Sequence, residues 1–175
     1  MPTFDLILDA VTRRRIPAAV PLYEHFADDE IIEAVMGYDF SAIDRGAFDG
    51  QLELWDRRAE FYRQMGYAYL PVEYAPRFKP RPGLAAQDTA LYSRGRRGWV
   101  DEHEGVIQGT ADLENPEYWP EGEAAFDYPL FEAICQRLPP GMKIIGGASG
   151  GPFEHASFLV GLERLGMLMY DDPVF

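Results

Sequence analysis

The chain has 175 residues, 47% hydrophobic and 14% aromatic, enough for one domain with a packed core and short for two. Its formal charge of −13, from 29 acidic against 16 basic residues, disfavours nucleic acid and anionic membrane surfaces as partners. A single cysteine, Cys135, excludes an internal disulfide and a multi-cysteine metal site within the chain; with an N-terminus that shows no cleavable leader pattern, it points to a reducing, cytoplasmic compartment.

Phe4, Ile7, Leu8 and Val11 fall on one helical face, with Thr3 as N-cap and Arg13, Arg14 and Arg15 at the C-terminal end of the helix dipole. Ile16 to Phe26, IPAAVPLYEHF, reads as a buried strand that ends in Tyr23, Glu24 and His25. A short helix then opens at Asp28, Asp29 and Glu30 and closes at Gly37, with Ile31, Ile32, Val35 and Met36 facing inward. Leu52, Trp55, Ala59 and Tyr62 predict another helix, stopped by Gly66, and Tyr67 to Tyr74, YAYLPVEY, a second buried strand.

Pro76, Pro80, Pro82 and Gly83 break the chain next. Ala90 to Gln108 is expected to form hairpin-like material: ALYSR, a turn from Gly95 to Gly98, WVDE, a turn at Gly105, and VIQ. Asp112 to Gly122 reads as a surface loop. Phe126, Leu130, Phe131, Ile134, Cys135 and Leu138 form one apolar helical face, closed by Pro139, Pro140 and Gly141, which makes Cys135 a small core residue. A third strand follows at Lys143, Ile144 and Ile145, and a glycine-rich turn carries Gly146, Gly147, Gly150 and Gly151. Pro152 suits the first position of a long helix that ends before Pro173 and is apolar around most of its circumference. Glu154, His155, Glu163 and Arg164 argue that this helix is buried in protein, not in a membrane.

Helices alternate with strands, so the expected fold class is α/β: about three parallel βα units with a hairpin insertion, in one domain over residues 1–175. Three parallel strands do not close a barrel and leave open edges, which predicts that a missing part or a partner covers them.

The succession RRRIPAAVPLYEHF, YRQMGYAYLPVEY, RGWVDEHEGVIQ and MKIIGGASGGPFEHASFLVGLERLGMLMYDDP resembles the uroporphyrinogen decarboxylase superfamily, which includes cobalamin-dependent methyltransferases. The resemblance is to the N-terminal half of a TIM-type (β/α)8 barrel and implies that the chain is an incomplete barrel lacking its C-terminal half. It implies a small anionic or tetrapyrrole-type ligand. In the methyltransferase branch it further implies a corrinoid and its carrier protein as partner, and a zinc whose ligands lie beyond residue 175; this segment alone is expected to bind neither cofactor. The decarboxylase branch expects an arginine-rich segment after the first strand and an aspartate at the end of the second. PLYEHF and LPVEY stand there instead, with Glu73 near the aspartate's place, so the resemblance favours methyl transfer to a thiol over uroporphyrinogen decarboxylation in heme biosynthesis. A non-enzymatic ligand-binding or interaction barrel is the third reading.

Because such barrels place their sites at the C-terminal ends of the strands, the resemblance gathers Tyr23, Glu24, His25, Glu73, Tyr74 and the loop after Ile145 at one mouth. His25 is a proton donor or polar contact, or else a hydrogen-bonded structural histidine. Glu73, among apolar and aromatic residues, is an acid or one half of an ion pair. The turn carrying Gly150 and Gly151, with Glu154 and His155 in the first helical turn after it, either offers free N–H groups to an anion or is glycine-rich for tight packing. Arg77, Lys79, Arg81, Arg94, Arg96 and Arg97 form a basic stretch. They are a solvated loop or a clamp on carboxylates, with Arg94, Arg96 and Arg97 the candidate substrate contacts.

Overall fold

The computed structural model describes residues 3–74, 78, 83–89, 95–101, 103–119, 127–148 and 150–172. In chain order the elements are α1 (Phe4–Thr12), α2 (Asp29–Met36), α3 (Phe48–Gln64), β1 (Tyr69–Tyr74), β2 (Gly83–Gln87), β3 (Arg96–Val100), α4 (Thr110–Leu113), a 3-10 turn (Pro116–Tyr118), α5 (Tyr128–Arg137), β4 (Lys143–Ala148), α6 (Pro152–Val160) and α7 (Leu162–Asp171). They divide into two compact units, Met1–Glu73 with Asp127–Gly147, and Tyr74–Phe126 with Ala148–Phe175.

In the first unit β1 pairs with β4 as short parallel strands, and the chain between them returns through α5. Alternation along β1 sorts its side chains. Leu70 and Val72 join the core formed by Ile32, Phe40, Leu52, Ala59, Phe61, Leu130 and Ile134, so α3 and α5 cover that face of the strand. Tyr69 and Glu73 therefore occupy the opposite face. Polar contacts tie the helices together: Arg137 donates to both carboxylate oxygens of Asp56 at 3.0 and 3.1 Å. Asp29 accepts from Arg58 at 2.7 Å and Arg45 at 2.9 Å. Burial alone would raise the Asp29 pKa, but the two guanidiniums outweigh it and hold the carboxyl below its usual range.

The second unit has its own small core of Ile107, Leu159 and Val160, with Phe78, Leu113, Leu165 and Leu168 packed against it. The antiparallel ribbon of β2 and β3 pairs Gly83 with Val100 through to Gln87 with Arg96. Among the described residues, no helix is long and apolar enough to cross a membrane.

Several expectations are corrected. The run from Ile16 to Phe26 is not a strand: it has no regular structure, and Ile16 and Val20 are 95% and 86% exposed. Pro17 and Pro21 remove two N–H donors from eleven residues, which unfits the run for the interior of a sheet. Two parallel strands are thus described in place of three, without a closed barrel, and only the α/β class stands. The expected hairpin strand ALYSR falls on residues 90–94, outside the described residues. The observed ribbon begins earlier, at Gly83, and Ile107 is a core residue whose N–H bonds Leu159 O at 2.9 Å instead of joining a strand.

The long final helix is two helices. Gly161 sits at φ +90°, and a Cβ there would lie 3.0 Å from the carbonyl oxygen of His103, so the chain passes a neighbouring backbone in a conformation reserved for glycine. Its apolar surface is not buried all round either: Leu162, Met167, Met169 and Tyr170 are exposed. In α2 only Ile32 is fully buried, while Ile31 and Val35 are exposed. Cys135 is exposed as well, because Leu130 and Ile134, four residues apart, define the inward line of α5 and Cys135 lies about 100° round from Ile134.

Candidate functional site

The first unit brings together three of the residues read from the sequence. Glu73 lies near the C-terminal end of β1, on the same face as Tyr69. His25 reaches it from the irregular segment that precedes α2, and its Nε2 lies 2.8 Å from Glu73 Oε1. The two side chains are 58% and 30% exposed, so solvent and a small molecule can reach both. The Tyr23 hydroxyl stands 3.4 Å from His25 Nδ1, and the Tyr23 ring stacks on Tyr69 with centroids 5.4 Å apart and planes 17° from parallel.

Beneath this pair lies a tyrosine cluster. The Tyr69 hydroxyl accepts the Glu24 N–H at 2.5 Å and donates to the Glu24 carbonyl oxygen at 2.5 Å. Burial raises the Tyr69 pKa; its bond from the Glu24 N–H only partly offsets this, and nearby Tyr23, Tyr67 and the Glu24 carboxylate add to the rise, so the phenol stays neutral and can donate. Tyr62 packs against both Tyr67 and Tyr69. Its hydroxyl is buried near the Ala27 backbone, without a hydrogen bond of good geometry, and burial again raises its pKa first, followed by the neighbouring tyrosines.

Chemically, a carboxylate in contact with an imidazole can pass one proton between them and on to a third group. The Tyr23 hydroxyl near the other ring nitrogen bears on which tautomer the imidazole adopts. The same contact also staples the irregular segment to β1.

The second unit holds the other group of expected residues. Gly151 is the N-cap of α6, Pro152 its first residue, and Glu154 lies in the first turn. The His155 N–H already bonds Gly151 O at 3.0 Å. Gly150 takes φ +78°, which lets the His155 imidazole close over it. That ring packs against Phe78 with centroids 5.0 Å apart, and Phe78 meets Trp119 edge-on at 6.2 Å. The three rings wall part of a cavity of ≈ 590 Å³ that Ile107, Leu159 and Leu168 line further in. Its size is within the ~300–1,000 Å³ common for small-molecule sites. The Trp119 indole N–H is occupied by Leu113 O at 2.8 Å, so the ring presents an apolar face.

Arg96 and Arg97 are exposed on β3, and as consecutive strand residues they point to opposite sides of the ribbon, which unfits the pair for a single carboxylate clamp. Arg77, Lys79, Arg81 and Arg94 lie outside the described residues. Sequence reading missed Tyr69 and the cavity wall of Phe78 and Trp119. The period of two along YLPVEY, which sets Tyr69 and Glu73 on one face, was a signal for the first; nothing local signals that residues 41 apart in sequence, Phe78 and Trp119, meet. Among the described residues no group of three or more His, Cys, Asp or Glu side chains is placed to hold a metal ion. In comparisons with protein-family models, curated proteins and solved structures, the chain has no match.

Proposed function

We propose that this chain is part of an enzyme of the uroporphyrinogen decarboxylase superfamily, a TIM-type barrel, in which His25 and Glu73 form a proton-transfer pair serving methyl transfer from a corrinoid to a thiol. The sequence resemblance supports the family. A βαβ arrangement of β1, α5 and β4, with Leu70 and Val72 of β1 packed against residues of α3 and α5, suits the wall of such a barrel. The observation that carries the reading is the 2.8 Å contact between His25 and Glu73 at the C-terminal end of a parallel strand, where barrel enzymes keep their chemistry.

In this reading the corrinoid, when bound, supplies an electrophilic methyl group, and the thiol must lose a proton to attack it. The His25 and Glu73 pair accepts that proton and releases it to solvent through its exposed edge. Zinc activation of the thiol would belong to ligands that the resemblance places beyond residue 175. A corrinoid protein would be the partner that presents the methyl group.

Uroporphyrinogen decarboxylation is the second reading, for which the exposed Arg96 and Arg97 are the candidate contacts to carboxylates. There the same pair would protonate the carbon that loses carbon dioxide. The full-length protein distinguishes them when it is incubated separately with uroporphyrinogen and with a methylated corrinoid plus a thiol. Corrinoid demethylation that falls at least ~100-fold in His25→Ala and Glu73→Gln, at unchanged folding, supports the proposal, since general acid–base groups contribute about that much or more. Carbon dioxide release dependent on Arg96 and Arg97 replaces it with the second reading. Turnover preserved in both variants removes the site, and silence with both substrates moves the weight to a ligand-binding barrel.

A further inference from the structure

His25 lies in a stretch that no helix or strand holds. Between the end of α1 and the start of α2 the chain is irregular, and Ile16, Val20, Leu22 and Phe26 are all exposed, so apolar burial does little to place it. A side chain on such a segment samples many positions, whereas a proton-transfer pair needs its partners held close to one geometry. Something else fixes His25.

The geometry points to Tyr69 as that positioning residue: we propose that its buried hydroxyl holds the backbone beside His25 and so keeps the imidazole on Glu73. Tyr69 is 0% exposed and begins β1, the strand that also carries Glu73 on the same face. Its hydroxyl engages both polar backbone groups of Glu24, the residue adjacent to His25, at 2.5 Å each. Those are the two bonds that a neighbouring strand would otherwise have made to this residue. The ring supports the preceding residue as well, through the stack with Tyr23, whose own hydroxyl stands beside His25 Nδ1. One strand therefore sets both members of the pair, Glu73 by covalent attachment and His25 through a phenol four residues upstream.

This inference rests on the reading of His25 and Glu73 as a functional pair, but its test needs no substrate. In the full chain, Tyr69→Phe keeps the ring, the stack and nearly all of the buried volume while removing both bonds. Hydrogen exchange of the Glu24 amide should accelerate about fivefold or more, with amides of α3 and α5 unchanged, since two bonds at ~0.5–1.5 kcal/mol net each amount to that at 1.4 kcal/mol per tenfold. A general loss of stability would instead raise exchange throughout the unit. The second readout is coupling: Glu73→Gln should move the ring ¹⁵N resonances of His25 in the wild-type background and leave them unmoved in the Tyr69→Phe background. Tyr23→Phe, which keeps both bonds to Glu24, should retain the slow Glu24 amide.

Unchanged Glu24 exchange in Tyr69→Phe, or a His25 resonance that still responds to Glu73→Gln there, overturns the proposal. If the variant does not fold, the wild type decides. A Tyr69 hydroxyl proton in slow exchange, with a nuclear Overhauser contact to the Glu24 amide, supports the role; a phenol proton exchanging as fast as an exposed one refutes it. The outcomes separate from those of the proposed function, because turnover that survives His25→Ala removes the catalytic reading and leaves the positioning intact.

Discussion

Gly150→Ala is the perturbation that most directly tests how the glycine-rich turn before α6 is built. Gly150 takes φ +78°, and a Cβ there would lie 3.0 Å from both His155 Cε1 and Nε2 and 3.3 Å from Glu154 Oε2. Forcing an alanine into the left-handed region costs about 1–2 kcal/mol, and the entropy that alanine removes from the unfolded chain returns about 0.4–1 kcal/mol. The contact with His155 adds to the cost, because the imidazole must swing away from Gly150 and it lines the cavity beside Phe78. A net loss of about 1–2 kcal/mol follows, which for a chain of this size lowers Tm by about 2–8 °C.

Gly147 is the internal control: its φ is not positive and a Cβ would meet nothing within 4 Å, so Gly147→Ala should be neutral or stabilising by up to ~1 kcal/mol. Thermal and urea unfolding followed by circular dichroism would compare the two. Gly150→Asn separates the causes, since asparagine tolerates the left-handed region but carries the same Cβ. It should cost less than alanine if backbone strain dominates and as much if the His155 contact does, in which case His155→Ala should rescue it. Equal losses at Gly147 and Gly150 would refute the reasoning altogether.

Leu70→Ala, at a fully buried position between β1 and the helices, should cost about 2.7–5 kcal/mol in urea unfolding, whereas Cys135→Ser on the exposed side of α5 should stay within ~0.5 kcal/mol. Val20→Ser should likewise change the unfolding midpoint little; a loss as large as that at Leu70 would restore the buried strand that the structure replaces with an irregular segment. The Asp29 carboxyl has its folded-state pKa below the unfolded value, so the stability it adds is fully present above that unfolded value, about 4, and is lost as pH falls through the folded one. The urea midpoint of wild type should accordingly exceed that of Asp29→Asn at pH 7 and converge on it on acidification below about pH 4; a difference constant across that range would show that the pairing with Arg58 and Arg45 is not the cause.

What the sequence determined by itself is the set of locally encoded elements. The helices α1, α2, α3 and α5 and the strands β1 and β4 were legible because each is written in residues that are neighbours along the chain: apolar spacing of three and four, a glycine or proline at the boundary, a short apolar run between breaks. His25 and Glu73 were legible as candidates for the same reason, as polar residues at the ends of apolar runs. Tertiary structure decided the rest. IPAAVPLYEHF has the composition of a buried strand, yet burial requires a partner to accept its backbone bonds, and Pro17 and Pro21 take away two of the N–H donors that pairing in a sheet would use. The apolar residues after Pro152 predicted one helix, and the break at Gly161 follows from the passing backbone of His103, 58 residues earlier in the sequence, which no local pattern records. That His25 meets Glu73, 48 residues away, through the phenol of Tyr69 is a property of the same kind: contact across long sequence separation depends on how the whole unit packs, and composition along the chain is blind to it.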